Sequence, residues 1–214
     1  MMLIGMFDSP YVRRVAVSLK RLEIPFEHAN WSVGEDFERI RAVSPLGRVP
    51  VLVLDDGESL TESAAILDAL DDLVGPARAL LPRTGTVRRE ALQTIALAIG
   101  AAEKARDQIY ERIARPAEKY HEPWAARCRL QMHGALGLLE ERCRTRAPDG
   151  WLLGERLTQA DITVACIFSF LKDAMNLAHA PPQYPALAAL AERCEALAEF
   201  RATRAPWFAA KVES

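Results

Sequence analysis

Short apolar runs and helical patterns alternate over the first 75 residues. Residues 1–7 form an apolar run typical of a buried strand, and apolar residues then recur from Val12 to Leu22 at helical spacing until Pro25. "FEHANW" predicts a second strand and "EDFERIRAV" a short helix. "VPVLVL" and "ESLT" flank the turn signal "DDG" and predict a hairpin, and "ESAAILDALDDLVG" predicts an amphipathic helix ending at Gly75. The predicted order is β-α-β-α-β-β-α.

Beyond Gly75 the pattern becomes helical throughout. We predict an α/β domain over residues 1–76, a turn-rich linker over 77–86 and an all-α domain over 87–214. The helices predicted in the second domain cover residues 87–114, residues 122–146, a helix buried on all sides around residues 162–171, and "YPALAALAERCEAL".

Charge and apolar content limit the classes of partner. The chain carries 27 basic and 29 acidic residues, a net charge of −2, so no overall basic field attracts nucleic acid or an anionic membrane. No basic segment followed by a long apolar stretch opens the chain, and "ITVACIFSFL" is too short to span a bilayer. We therefore expect a soluble, cytoplasmic protein.

The four cysteines all lie in the C-terminal half, at Cys128, Cys143, Cys166 and Cys194. They form no C-x-x-C motif and have no histidine at metal-ligand spacing. We interpret them as buried or half-buried helix residues, and we expect no metal site.

The segment "FDSPYVRRV", residues 7–15, joins the first predicted strand to the first helix. Ser9 suits the N-cap of that helix and Pro10 its first position, so capping accounts for both residues. The same helix N-terminus also stabilises an anion, and a hydroxyl there can donate a hydrogen bond to a thiolate and lower the pKa of the thiol. Both interpretations of Ser9 stay open.

Two further segments combine an ordinary structural explanation with a functional one. Val49–Pro50 opens a predicted strand, which indicates either an edge strand or a cis peptide bond that leaves the backbone of Val49 open to an extended peptide. Glu62 and Ser63 open the last helix of the first domain. An acidic first turn is common, but this pair also suits the carboxylate and the ammonium group of an amino acid.

The order and spacing of these segments resemble the glutathione transferase family over essentially the whole chain. The resemblance implies a thioredoxin-like N-terminal domain and a helical-bundle C-terminal domain. It also implies that Ser9 contacts the sulfur of glutathione, that Val49 pairs with the cysteinyl backbone beside a cis-Pro50, and that Glu62 and Ser63 hold the γ-glutamyl end. "LTQADITVA" resembles the structural capping box of the family, with Thr158 as N-cap and Asp161 as its partner.

Departures from other classes narrow this resemblance. The reactive cysteine of the omega, beta and zeta classes is absent, and no tyrosine lies at the end of the first strand, where the tyrosine-type classes keep theirs. The turn "SPYVRRV" is most similar to that of bacterial serine-type members. Mixed-disulfide chemistry at this turn is excluded, because no cysteine is near.

The resemblance implies an enzyme that activates glutathione as a thiolate for conjugation to a small electrophile, with Arg13 as a candidate cation near the sulfur. The candidates for the electrophile pocket are Tyr11, Arg106, Tyr110, Ile113, Met175 and Trp207. A glutathione-fold binding or scaffold protein, and a glutathione-dependent isomerase or peroxidase, remain alternatives. The resemblance also implies a homodimer.

Overall fold

The computed structural model describes residues 1–147, 150–175, 177 and 183–208. The strands are β1 (Met2–Ile4), β2 (Glu27–Ala29), β3 (Val51–Val53) and β4 (Ser59–Thr61). The helices are α1 (Pro10–Arg21), α2 (Phe37–Val43), α3 (Ser63–Val74), α4 (Gly85–Ile113), α5 (Glu122–Thr145), α6 (Gln159–Ala174), α7 (Pro185–Glu195) and α8 (Ala198–Arg201), with a 3₁₀ turn at Ala117–Lys119. The predicted order of strands and helices is confirmed.

The predicted division into residues 1–76, 77–86 and 87–214 stays a prediction. Helix α4 begins at Gly85, two residues inside the predicted linker. Residues 148–149, 176, 178–182 and 209–214 of the predicted helical domain lie outside the described residues.

The strand register brings four chain segments to one edge of the sheet. The strand order is β2-β1-β3-β4, with β1 parallel to β2 and the other pairs antiparallel. Ile4 pairs with Ala29 and with Val51, and Val51 pairs with Thr61. The ends of β1, β2 and β4 and the start of β3 therefore share one edge, defined by these four residues, which we call the Ile4 edge.

The proline before β3 does not mark an edge strand. Strand β3 lies between β1 and β4, and Val51 and Leu52 are fully buried. The Val49–Pro50 peptide bond is cis. Of the two explanations for this proline, the cis bond is confirmed and the edge strand is wrong.

The helical domain is built around α6, which packs against α1, α4 and α7. Its residues from Gln159 to Phe168 are all buried. The capping box is confirmed, because the Asp161 carboxylate accepts the Thr158 N–H at 2.9 Å. All four cysteines are buried, as the sequence predicts, and burial raises the pKa of each thiol.

The connection between the two parts of the chain is held by hydrogen bonds. The Asp71 carboxylate accepts the N–H groups of Leu80 at 2.8 Å and Leu81 at 2.9 Å. Gln159, at the start of α6, donates its N–H to the Leu80 carbonyl at 3.0 Å. The segment after α3 is therefore fixed to both parts of the protein.

Arg13 is buried rather than solvated, with 6% of its surface exposed. Its Nη1 and Nη2 atoms donate to the two carboxylate oxygens of Glu195, each at 2.7 Å. It also donates to the carbonyl oxygens of Thr203 at 3.2 Å and Phe200 at 3.1 Å. This residue joins α1 to the C-terminal turn and does not serve as the cation near a bound sulfur that the sequence suggested.

The Arg13–Glu195 pair predicts a defined dependence of stability on pH. Burial alone would raise the pKa of Glu195, but the hydrogen bonds and charge of Arg13 hold it below its ordinary value. A carboxylate with a lowered pKa in the folded state stabilises the protein above its unfolded pKa of about 4.3, and this stability is lost as pH falls through the lower folded pKa. We expect Glu195→Gln to lower the free energy of unfolding by about 3–5 kcal/mol at pH 7. We also expect the free energy of unfolding of this variant to fall less steeply at acid pH than that of the wild type.

Urea unfolding between pH 3 and pH 7 measures both effects (a range chosen from the ordinary pKa of glutamate, about 4.3). Glu192→Gln makes the same chemical change at an exposed site on the same helix and is expected to cost less than about 0.5 kcal/mol. Wild-type stability and wild-type pH dependence in Glu195→Gln would contradict the interpretation.

Candidate functional site

The three segments singled out in the sequence meet at the Ile4 edge. Ser9 follows β1, the Val49–Pro50 bond precedes β3, and Glu62 with Ser63 follows β4. A cavity of about 480 Å³ opens beside this edge, with walls from α1, α4, α6 and the C-terminal residues. The predicted site residues that line the cavity are Ser9, Tyr11, Val49, Arg106, Tyr110, Ile113 and Trp207.

Four predicted residues are not part of that lining: Pro50, Glu62, Ser63 and Met175. Pro50 is buried and follows Val49 in the chain. Glu62 and Ser63 form the N-terminal end of α3. Met175 ends α6 and packs, partly buried, against the hydrophobic core. We therefore do not retain Met175 as a pocket residue.

Ser9 is both a helix cap and a wall of the cavity. Its Oγ accepts the N–H of Val12 at 3.5 Å, which is long for a hydrogen bond. As an acceptor in that bond, Ser9 keeps its own hydroxyl hydrogen for another partner. Within the described chain the N–H of Tyr11 makes no hydrogen bond, so the positive end of α1 is open beside the hydroxyl.

Val49 carries an unpaired stretch of backbone beside Ser9. Neither its N–H nor its carbonyl is hydrogen-bonded to any other described residue. Gly5, with φ of +127°, allows the chain to close up here, because a Cβ at this position would lie 2.6 Å from Val12 Cγ2 and 2.8 Å from Val49 Cβ. The open backbone of Val49 can pair with an extended peptide.

Glu62 adopts an unusual backbone conformation at the start of α3. Its φ is +65°, a left-handed value that is uncommon for residues other than glycine and concentrates at ligand sites. Its carboxylate lies 3.2 Å from Arg48, and both side chains are about half exposed (50% and 52%). Arg48 lines the cavity, so Glu62 is connected to it through this ion pair.

Ser63 accepts hydrogen bonds from Arg14, a buried arginine that the sequence analysis did not single out. Arg14 is 2% exposed and donates to Ser63 Oγ from Nε at 3.1 Å and from Nη2 at 2.9 Å. Its Nη1 donates to Thr163 Oγ1 at 3.2 Å. No carboxylate of the described residues forms an ion pair with Arg14.

Burial lowers the pKa of Arg14 to about 10, so the guanidinium is still charged at neutral pH. Because Ser63 Oγ accepts from Arg14, the hydroxyl hydrogen of Ser63 is available to an outside acceptor. The N–H groups of Ser63, Ala64 and Ala65 also lack partners among the described residues, as expected for the first turn of a helix. This end of α3 therefore combines donors with a buried positive charge.

Aromatic side chains supply part of the remaining cavity lining, alongside acidic, hydroxyl and aliphatic groups. Trp207 packs edge-on against Phe170, with ring centroids 5.1 Å apart. The N–H of Phe208 donates to the Asp8 carboxylate at 3.3 Å, and burial raises the pKa of Asp8. Trp31, in the segment after β2, also lines the cavity.

Sequence reasoning missed Asp8, Trp31, Phe170 and Phe208. Trp31 had one usable signal, since it follows a strand parallel to β1 and so reaches the same edge.

Arg14 and Ser18, at i and i+4, form a polar stripe on α1 that pairs with Thr163 and Gln159 of α6. This pair of polar residues, spaced i and i+4 on α1, was the sequence signal that could have indicated a buried polar interface.

Among the described residues, His, Cys, Asp and Glu side chains form no group of three that could hold a metal ion. In the same part of the chain, none of the helices has the length and apolar character that a bilayer crossing requires.

Comparison with known proteins gives consistent matches for both parts of the chain. Residues 3–78 match the model of the glutathione S-transferase N-terminal domain, and residues 122–193 match that of the C-terminal domain. The GST-like protein YibF of Escherichia coli K12, itself uncharacterized, is 31% identical over 80% of this chain and 82% of its own.

Solved structures agree with this similarity. A glutathione S-transferase of Methylobacterium radiotolerans, in complex with glutathione sulfonate, is 29% identical with a TM-score of 0.86, covering 97% of this chain and 95% of its own. The enzyme of Methylobacillus flagellatus, with glutathione bound, is 28% identical with a TM-score of 0.86, covering 96% and 98%. The likeness thus extends over both the sheet and the helical bundle.

Proposed function

Because the chain belongs to the glutathione S-transferase family, we propose that it binds glutathione at the Ile4 edge and conjugates it through sulfur to a small electrophile. The observation that carries this proposal is the strand register. It brings Ser9, the open backbone of Val49, and the Glu62–Ser63 end of α3 to a single edge. Solved relatives with glutathione or glutathione sulfonate bound support the same ligand.

Each part of glutathione has a chemically matched partner along this edge. The cysteinyl N–H and C=O pair with the backbone of Val49 as an added strand. The γ-glutamyl carboxylate accepts from the Ser63 hydroxyl and the first N–H groups of α3, and Glu62 accepts from the ammonium group. Arg14, buried beneath Ser63, supplies the positive charge that offsets the bound carboxylate.

The thiol of glutathione is activated at the start of α1. The Ser9 hydroxyl donates a hydrogen bond to the sulfur, and the N-terminal end of α1 adds its partial positive charge. Both interactions are stronger with the thiolate than with the thiol, so they lower the pKa of the bound thiol. The thiolate then attacks the electrophilic carbon and displaces a leaving group or adds to a double bond.

The second substrate binds in the cavity. Tyr11, Tyr110, Ile113 and Trp207 present mainly apolar surface. Arg106 lies 3.5 Å from the Asp107 carboxylate, which also binds Lys104 at 2.8 Å. Such a lining favours an apolar or aromatic electrophile that offers few charges.

Two alternatives remain. A scaffold protein of the same fold that binds no glutathione has no need of the open groups at Ser9, Val49 and Ser63, whereas a glutathione-binding protein with little turnover would keep them. A glutathione-dependent isomerase or peroxidase would use the same glutathione site, and Ser9 does not exclude it. A panel of substrates separates these enzymes, and the absence of any glutathione binding favours the scaffold.

We also propose a cytoplasmic homodimer, as in the family. Exposed leucines on α3 and α5 support it, with Leu73 59%, Leu130 75% and Leu138 58% exposed. Sedimentation at low micromolar protein should give twice the chain mass, and a single species of 23.7 kDa would contradict the proposal.

Ser9→Ala separates capping from catalysis. Losing a hydrogen bond to a developing charge, worth roughly 1.5–3 kcal/mol, should lower kcat about ten- to a hundredfold. Glutathione affinity should stay close to wild type, and the lost cap should cost no more than about 1 kcal/mol because the bond to Val12 is long. Steady-state kinetics with an aromatic electrophile measure kcat, and calorimetric titration measures glutathione affinity.

The control for this change is Ser59→Ala, at an exposed serine on β4. Unchanged turnover in Ser9→Ala would mean that Ser9 is only a helix cap.

Glu62→Gln and Ser63→Ala test glutathione recognition. Their contacts to the ligand should be similar in the ground and transition states, so their loss raises KM and leaves kcat largely intact. We expect glutathione binding to weaken about ten- to a hundredfold in calorimetric titration. Ser63→Ala also removes the acceptor of two Arg14 donors, so its melting temperature is measured first.

Glu58→Gln, at an exposed position on the same hairpin, is the matched control. Wild-type affinity in both site variants, with the fold intact, would refute the glutathione site. Binding to neither the wild type nor the variants would favour the scaffold alternative.

A further inference from the structure

Arg106 lines the cavity with hydrogen-bond donors that the described chain does not use. It lies in the second half of α4, and 31% of its side chain is exposed. Its guanidinium makes no hydrogen bond with any described residue. Its contact with a carboxylate in that part of the chain is an ion pair with the neighbouring Asp107, at 3.5 Å.

Asp107 does not neutralise this guanidinium by itself. The Asp107 carboxylate accepts a hydrogen bond from Lys104 at 2.8 Å, so two cations share one negative charge. Glu103, one turn earlier on α4, is half-buried and forms no ion pair with Arg106 within the described chain. A single contact at 3.5 Å also leaves most of the five guanidinium donors without an acceptor. The α4 wall of the cavity therefore presents a cation with spare hydrogen-bonding capacity.

The next charged residues of the lining, Asp8 and Arg48, have partners of their own. The Asp8 carboxylate accepts the N–H of Phe208 at 3.3 Å, and Arg48 lies 3.2 Å from the Glu62 carboxylate. Of the two arginines in the described lining, Arg106 is the one that shares its carboxylate with a second cation.

Arg106 is also placed near the start of α1. Burial raises the pKa of the Tyr11 phenol to about 12, and Arg106 is the charged group that most opposes this rise. Tyr11 follows Ser9 by two positions, so the guanidinium is near the place where the proposed thiolate forms. Tyr110 and Ile113, at i+4 and i+7, line the same cavity about 6 and about 10 Å farther along the helix axis.

We propose that Arg106 determines specificity for the second substrate by binding a carboxylate group of the electrophile. This inference rests on the proposed transferase function and narrows the second substrate to an aromatic electrophile with one carboxylate. The planar guanidinium fits a carboxylate through two parallel hydrogen bonds, and a neutral ester accepts weaker ones. The apolar residues of α4 pack against the ring of the same molecule.

The carboxylate is remote from the bond that changes. The glutathione thiolate forms a carbon–sulfur bond at the electrophilic carbon, and the leaving group departs with the bonding electron pair. The carboxylate keeps its charge throughout, so Arg106 holds it equally well in the ground state and the transition state. The contribution of Arg106 therefore appears in KM rather than in kcat.

Arg106→Gln tests this role with two benzylic chlorides that differ in one group. 4-(Chloromethyl)benzoate carries a carboxylate, methyl 4-(chloromethyl)benzoate carries a neutral ester, and both react by displacement of chloride. Relative to the uncatalysed reactions, we expect the wild type to favour the acid. The variant should lower kcat/KM for the acid about ten- to a hundredfold, through KM, and leave kcat/KM for the ester within about twofold.

Two further variants separate charge, geometry and position. Arg106→Lys keeps the charge but loses the planar fork, and it should retain an intermediate preference for the acid. Arg112→Gln is the matched control, because it removes an exposed arginine of the same helix outside the cavity lining, and it should leave the preference as in the wild type. Glutathione affinity by calorimetry and the melting temperature should stay close to wild type in all three, because the Arg106 ion pair is partly exposed.

The two levels of proposal fail in different ways. An unchanged preference for the acid in Arg106→Gln, an equal loss with both chlorides, or a wild type that favours the ester would each overturn this inference and leave the transferase function standing. No glutathione binding by the wild type, together with no turnover of either chloride, overturns the transferase function and this inference with it.

Discussion

Two adjacent arginines of α1 are buried, and the arrangement of the two domains depends on what each arginine binds. Arg13 reaches Glu195 of α7 and the carbonyls of the C-terminal turn, while Arg14 reaches Ser63 of α3 and Thr163 of α6. A buried guanidinium that loses its partners is strongly destabilising. These contacts therefore stabilise this docking of the sheet on the helical bundle, and residues of both α1 and α4 line the cavity.

The docking also separates the tasks of the site. In the proposed function, recognition of an amino-acid end falls to the start of α3, where Arg14 places a buried charge beneath the open donors. The proposed chemistry takes place at Ser9 and the open end of α1. All four cysteines are buried with raised thiol pKa values, so none of them is suited to act as a reactive thiolate. Helix α4 and the C-terminal residues contribute Arg106, Asp107, Tyr110, Ile113, Trp207 and Phe208 to the cavity lining.

Local sequence signals were sufficient for the strands and the helices, because period and turn chemistry act over a few residues. The three segments at the Ile4 edge each had an ordinary local explanation, and their order and spacing, through the family resemblance, singled them out. They were insufficient for Arg13, whose partner Glu195 is 182 positions away. The same limit applies to Phe208, which meets Asp8 across 200 positions. Met175, which the sequence offered as one candidate for the pocket wall, is not part of the cavity lining.

Three local energetic costs in this fold lie near one edge of the sheet. Glu62 has a left-handed backbone, Arg14 is a buried cation with no carboxylate partner in the described chain, and Tyr11 has an unpaired hydroxyl. Each is unfavourable in isolation, by an amount on the order of 1–3 kcal/mol for strain or an unpaired polar group. A ligand can interact with two of these groups: a carboxylate with the charge of Arg14 and an ammonium group with the Glu62 carboxylate. A sequence selected for stability alone would remove these features, so their position together argues that the edge is shaped for what binds there.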